Sequence, residues 1–176
     1  MLIEVVDYDA AWPGLAAAAM AELQTALPGM FVVIEHFGST SVPGLAAKPV
    51  IDLMAAAEEV DLVTRHENVL SELGYERFDN GMSGRLFYQR DRKGRRTHHL
   101  HVVPARDLAS RKELLLRDYL RTHPADAARY AERKRQLAAV MPSGDEYTRA
   151  KTDLIQELTD AARAEHGLPS VPVWEE

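Results

Sequence analysis

Apolar positions recur along this chain with two periods. Trp12, Leu15, Ala16, Ala19, Leu23 and Leu27 fall on one face at helical spacing, with Asp9 near the start and Pro13 in the first turn. Pro28-Gly29 ends that helix. Short apolar runs mark strands at about 31–37 and 49–55, and residues 2–6 read as another. Glu58 to Leu73 reads as one helix stopped by Gly74. Three short strands follow: Tyr75 to Phe78, Arg85 to Arg90, and Arg95 to Val103. Asp79-Asn80-Gly81 and Lys93-Gly94 are the turns between them.

From residue 110 the pattern is helical. Ser110 with Glu113, and Ser143 with Glu146, have capping-box spacing. His123-Pro124 and Met141-Pro142 divide the region into three helices. The last sets Tyr147, Ala150, Leu154, Ile155 and Leu158 toward a core, to which Trp12, Tyr119 and Tyr130 also belong. This order predicts an α+β fold: a small mixed β-sheet with helices packed on it and C-terminal helices beside it. The two early strands, joined by a short loop, are expected to be antiparallel neighbours. One domain is expected over residues 1–167, followed by an irregular tail, 168–176, that carries Pro169 and Pro172.

Composition narrows the function. The 176 residues include no cysteine, which excludes disulfides and thiolate chemistry. A net charge of −6 argues against a general nucleic-acid coat. No apolar run reaches the ~18 residues of a membrane helix, and the first residues lack a signal-peptide pattern. The expectation is a cytoplasmic protein with no membrane partner.

The densest chemistry lies in His36-Phe37-Gly38-Ser39-Thr40-Ser41-Val42-Pro43-Gly44 and the strand after it. Gly38 lets backbone approach a ligand, and Ser39, Thr40 and Ser41 add hydroxyls to the turn's N–H groups. Such a turn either cradles a phosphate or satisfies its own backbone. Asp52 stands in the apolar run Pro49 to Met54, where a carboxylate is paired, hydrogen-bonded or bound to metal. Period two gives it Val50 and Met54 as same-face neighbours, so no second acid joins it on that strand.

Thr97-His98-His99-Leu100-His101 holds three of the seven histidines. His99 and His101 share a strand face, and His98 points the other way. Two such imidazoles chelate a transition metal, shuttle a proton, or are simply hydrogen-bonded to neighbours. Arg90, Arg92, Lys93, Arg95 and Arg96 make a positive hairpin, either a polyanion lobe or a solvated tip. Arg85 is a phosphate candidate if its strand borders the site. Lys151, one turn after Tyr147, either reaches a cleft or snorkels.

These segments resemble the GrpB family of small bacterial proteins, placed in the nucleotidyltransferase superfamily. The resemblance rests on Tyr8-Asp9 with Trp12, Glu35 to Leu45, Lys48 to Leu53, and Gly74-Tyr75. It continues in His98 to Val102, Arg117-Asp118-Tyr119-Leu120-Arg121, and Tyr147 with Lys151. It implies a polymerase-β-like nucleotidyltransferase fold. In active members two acids in an Asp-x-Asp arrangement follow the Gly-Ser turn, and a third lies on a later strand. Asp52 matches the second acid, while Val50 occupies the place of the first. The histidine strand stands where the third belongs. The implied function is a divergent, metal-dependent nucleotidyltransferase-like protein acting on a nucleoside triphosphate. Its candidate catalytic residues are Asp52 and His101. The phosphate-binding candidates are Gly38, Ser39, Thr40, Ser41, Lys48, Arg85 and Lys151, and the metal candidates are Asp52, His99 and His101, for Mg²⁺, Mn²⁺ or Zn²⁺. The alternatives are a non-catalytic module for a nucleotide or phosphorylated metabolite, and a structural or interaction domain.

Overall fold

The computed structural model describes residues 4–141 and 144–174. Its contacts divide into two compact units whose segments alternate along the chain, one of Ala11–Phe37 with Val50–Ala109, the other of residues 4–10, Gly38–Pro49 and 110–174.

The first unit is built on a five-stranded mixed sheet. Its elements are α1 (Trp12–Ala26), β1 (Val33–Phe37), β2 (Ile51–Ala57), α2 (Val60–Thr64), α3 (Glu67–Glu72), β3 (Tyr75–Arg77), β4 (Leu86–Arg92) and β5 (Arg95–Pro104). The spatial order is β1-β2-β5-β4-β3. β1 is antiparallel to β2, as the short connection requires, and β2 runs parallel to β5 across the crossover that holds α2, α3 and the hairpin. The apolar runs behave as period two demands: Leu53, Ala55, Leu100 and Val102 are buried on one face, which also carries Tyr75, Tyr88, Arg90 and His98. Glu22 of α1 reaches Arg90 and Glu67 of α3 reaches Tyr88, so both helices cover this face. Phe37, Asp52, His99 and Gln89 form a row across the opposite face.

The second unit contains a 3-10 turn (Ser39–Ser41), α4 (Lys112–Thr122), α5 (Pro124–Val140), α6 (Gly144–Ala150) and α7 (Thr152–Glu165). Its core is Val42, Leu45 and Ala46 of the loop with Leu120, Tyr130, Ala131 and Leu158 of the helices. Residues 168–174 carry no helix or strand and are held by side chains. The Gln156 amide bonds both the Val171 carbonyl and the Val173 N–H, and the Trp174 indole donates to Thr152 at 2.7 Å.

Several expectations change. The helix read over 58–73 is two. The His66 ring donates to the Leu62 carbonyl that its own N–H would have used, and its N–H turns to Val63 instead. The last helix is also two, because Lys151 closes a tight turn onto Thr148 and becomes the residue that starts α7. The residue at the start of α4 is Arg111 rather than Ser110. α4 begins after Arg111 with no side-chain cap, and the Ser110 carbonyl accepts from Arg163. The matching pattern at Ser143 lies outside the described residues, as do residues 1–3 of the first strand. Val6 makes a single two-bond bridge to Ala47. Tyr119 is only half-buried, stacked on His123 at 3.8 Å with its hydroxyl on Asp126. Among the described residues no helix is long and apolar enough to cross a membrane.

Candidate functional site

Two groups of candidate residues emerge, one in each unit. In the sheet unit, β2 and β5 run in a register that sets Asp52 directly beside His99. His99 Nδ1 lies 3.0 Å from Asp52 Oδ1, with both side chains about a quarter exposed (28% and 25%). A carboxylate only accepts, so Nδ1–H donates and the His99 lone pair sits on Nε2. The His99 ring also rests against Phe87, with centroids 5.1 Å apart.

His101 is placed differently although it shares the face. Its ring is buried between Phe37 and Phe87, at 5.2 and 4.8 Å. Arg85 Nη1 lies 3.2 Å from His101 Nδ1, and a guanidinium only donates. His101 therefore accepts at Nδ1 and is neutral there, its proton on Nε2. Arg85, a phosphate candidate by sequence, is itself buried against this ring. The structure thus brings Asp52 to His99 and Arg85 to His101.

His98 faces the helix-covered side. Burial, with the Arg90 charge adding to it, pushes its imidazole down to about 4. Arg90, counted in the basic hairpin, is buried and bonded to Glu22 at 2.8 Å, so it is no part of a surface lobe. Arg96 pairs with Asp91 within the hairpin.

Among the described residues no three His, Asp or Glu side chains are gathered as metal ligands. Magnesium takes near-octahedral oxygen donors, usually from more than one carboxylate and from phosphate. Asp52 with His99 is one carboxylate and one imidazole, already bonded to each other. This donor set does not fit a two-metal carboxylate cage.

In the helical unit, Gly38 has φ +72°, a conformation that side-chain-bearing residues rarely adopt, and it opens the 3-10 turn. The Ser41 hydroxyl donates back to the Gly38 carbonyl at 2.6 Å, and Thr40 is buried. Ser39 is more open. With Gly38 it lines a cavity of about 50 Å³ that Glu113, Arg117 and Tyr130 complete. Arg121 grips the turn from the other end: Nε and Nη2 both donate to the Ser41 carbonyl, at 3.0 and 2.8 Å. Lys48 and Lys151 converge on one buried ring, with Nζ 4.6 and 4.1 Å from the Tyr147 centroid. Burial raises the Tyr147 phenol, whose hydroxyl has no hydrogen-bond partner among the described residues.

Sequence reasoning gave Arg117 and Arg121 no site role and placed Tyr147 only in the core. Their signal was present in the i, i+4 spacing of the two arginines and of Tyr147 with Lys151.

A family model described as "GrpB protein" matches residues 2–161. The UPF0157 protein PA4798 of Pseudomonas aeruginosa is 40% identical over 170 residues, covering 92% of this chain and 68% of that one. The UPF0157 protein YqkA of Bacillus subtilis is 32% identical over 163 residues, and there the match spans 92% of this chain and about half (47%) of the relative. The crystal structure of GrpB from Enterococcus faecalis superposes with a TM-score of 0.87 at 34% identity, covering 93% of this chain and 99% of that one. The Cid1 poly(U) polymerase aligns at 15% identity with a TM-score of 0.49, over 74% of this chain and 45% of that one.

Proposed function

The chain belongs to the GrpB family, and on that premise we propose that it is a nucleotidyltransferase-like protein that holds a nucleoside triphosphate by its phosphates. The observation that carries this reading is the gathering of Lys48 and Lys151 on the Tyr147 ring, in the unit that also holds the Gly38 turn. Two ammonium groups on one ring lie within about 9 Å of each other, and their mutual repulsion falls when a polyanion is bound. Gly38 and Ser39 supply backbone donors of the kind a phosphate accepts. No step is assigned to a metal ion.

Calorimetric titration with ATP, GTP, CTP and UTP tests the reading. At least one is expected to bind, and Lys48→Ala or Lys151→Ala each weakens it about tenfold, the loss of one charge-assisted contact. Gly38→Ala, forced out of its backbone conformation, weakens it as well. Failure of all four nucleotides to bind at millimolar concentration overturns it. A second reading, a phosphate-binding module without turnover, is favoured by the donor set at Asp52. It predicts that Asp52→Asn leaves affinity intact and that no pyrophosphate is released with any triphosphate.

A further inference from the structure

The pair on β2 and β5 departs from the carboxylate cage that the resemblance implies, and the departure has a chemistry of its own. Asp52 fixes the His99 tautomer and ring plane through Nδ1–H. Phe87 supports the ring from the next strand. His99 Nε2 takes part in no hydrogen bond with the described residues, and the side chain is 28% exposed. Gln89 stands in register beside it, and Glu35 lies further along the same face. The second histidine on the face is unavailable for this work, because Arg85 occupies its Nδ1 and two phenyl rings enclose it.

We infer that Asp52 and His99 form a proton-accepting dyad, with His99 Nε2 as the reacting atom and an O–H group, of water or an alcohol, as its substrate. In the step, the O–H bond breaks, the proton forms an N–H bond at Nε2, and the bonding pair stays on oxygen, which becomes the nucleophile. The positive charge created on the ring is offset by the carboxylate it already touches. Asp52 is then a positioning residue rather than a metal ligand. The inference stands apart from the triphosphate reading, and its test needs no nucleotide.

The test uses the whole protein and diethyl pyrocarbonate, which acylates an unprotonated imidazole nitrogen, with each histidine read by peptide mass spectrometry. His166, exposed on the helical unit, is the internal reference. His99 is expected to react at least about tenfold faster than His98 and His101, and Asp52→Asn is expected to slow His99 at least threefold relative to His166. Asp52→Glu restores part of the rate. Nitrogen-15 spectra are expected to show neutral His99 protonated at Nδ1 and His101 protonated at Nε2. Thermal melting of each variant verifies that it is folded. If Asp52→Asn leaves the His99 rate unchanged, or if His99 carries its proton on Nε2, the dyad is overturned. It is also overturned if Zn²⁺ or Mn²⁺ alone binds at micromolar concentration, protects His99 from acylation, and loses that binding in Asp52→Asn.

Discussion

His98 and His99 are consecutive residues on one strand, and the sheet makes opposite use of them. His98 is buried beneath α1 with a cation, Arg90, for company, and stays uncharged. His99 is part-exposed with an anion, Asp52, bonded to it. The first side chain is packed among groups that already have partners: Arg90 on Glu22, Tyr75 near the His98 ring, Tyr88 on Glu67. Each ring has one bonded nitrogen, His98 Nδ1 on the Thr97 hydroxyl and His99 Nδ1 on Asp52, but His98 is buried while the His99 side chain is 28% exposed. A polar residue buried beside a cation becomes structure, while one left part-exposed beside an anion remains accessible.

That contrast breaks first where burial is deepest. Arg90→Ala removes a side chain that is 3% exposed, holds Glu22 and lies over the Tyr75 ring. It is expected to lower unfolding free energy by about 3 kcal/mol in urea titration, with Arg90→Met recovering part through its stem. Tyr88→Phe, on the same face, deletes one bond to Glu67. About 1 kcal/mol is expected, because Arg77 still bonds that carboxylate. A subtler difference is a slope. His98 binds its proton at about 4 when folded and near 6.5 when unfolded, so between these values the unfolded chain holds more protons. Its contribution is full above pH 6.5 and is lost as pH falls toward 4. Melting curves of His98→Asn across that window should be flatter than those of the wild type, and equal steepness would contradict a buried neutral His98. Least of all, Asp52→Asn, at a part-exposed position, should change stability by no more than about 0.5 kcal/mol, although it slows His99 acylation. A loss as large as that of Arg90→Ala would place Asp52 among the structural groups and erase the distinction.

Much of this contrast was legible in the residues. Period two put His99 and His101 on one face and His98 on the other, and five apolar runs became five strands. The partner of Asp52 was not legible. Which histidine it meets depends on the register of two parallel strands 47 residues apart, fixed by packing of the whole sheet. Arg90 misled for a related reason. It sits among other basic residues in a hairpin, yet alternation turns it inward, and only α1 supplies the glutamate that makes this tolerable. The helix break at His66 was hidden because side chain and backbone compete there for the same carbonyl, a contest that propensity does not record.

The double grip of Arg121 on the Ser41 carbonyl spans 80 positions of sequence. During synthesis the glycine-serine bend leaves the ribosome long before the arginine that clamps it exists. Its final shape is therefore acquired late, and a chain halted before α4 would have the bend's own Ser41–Gly38 bonds but not the clamp.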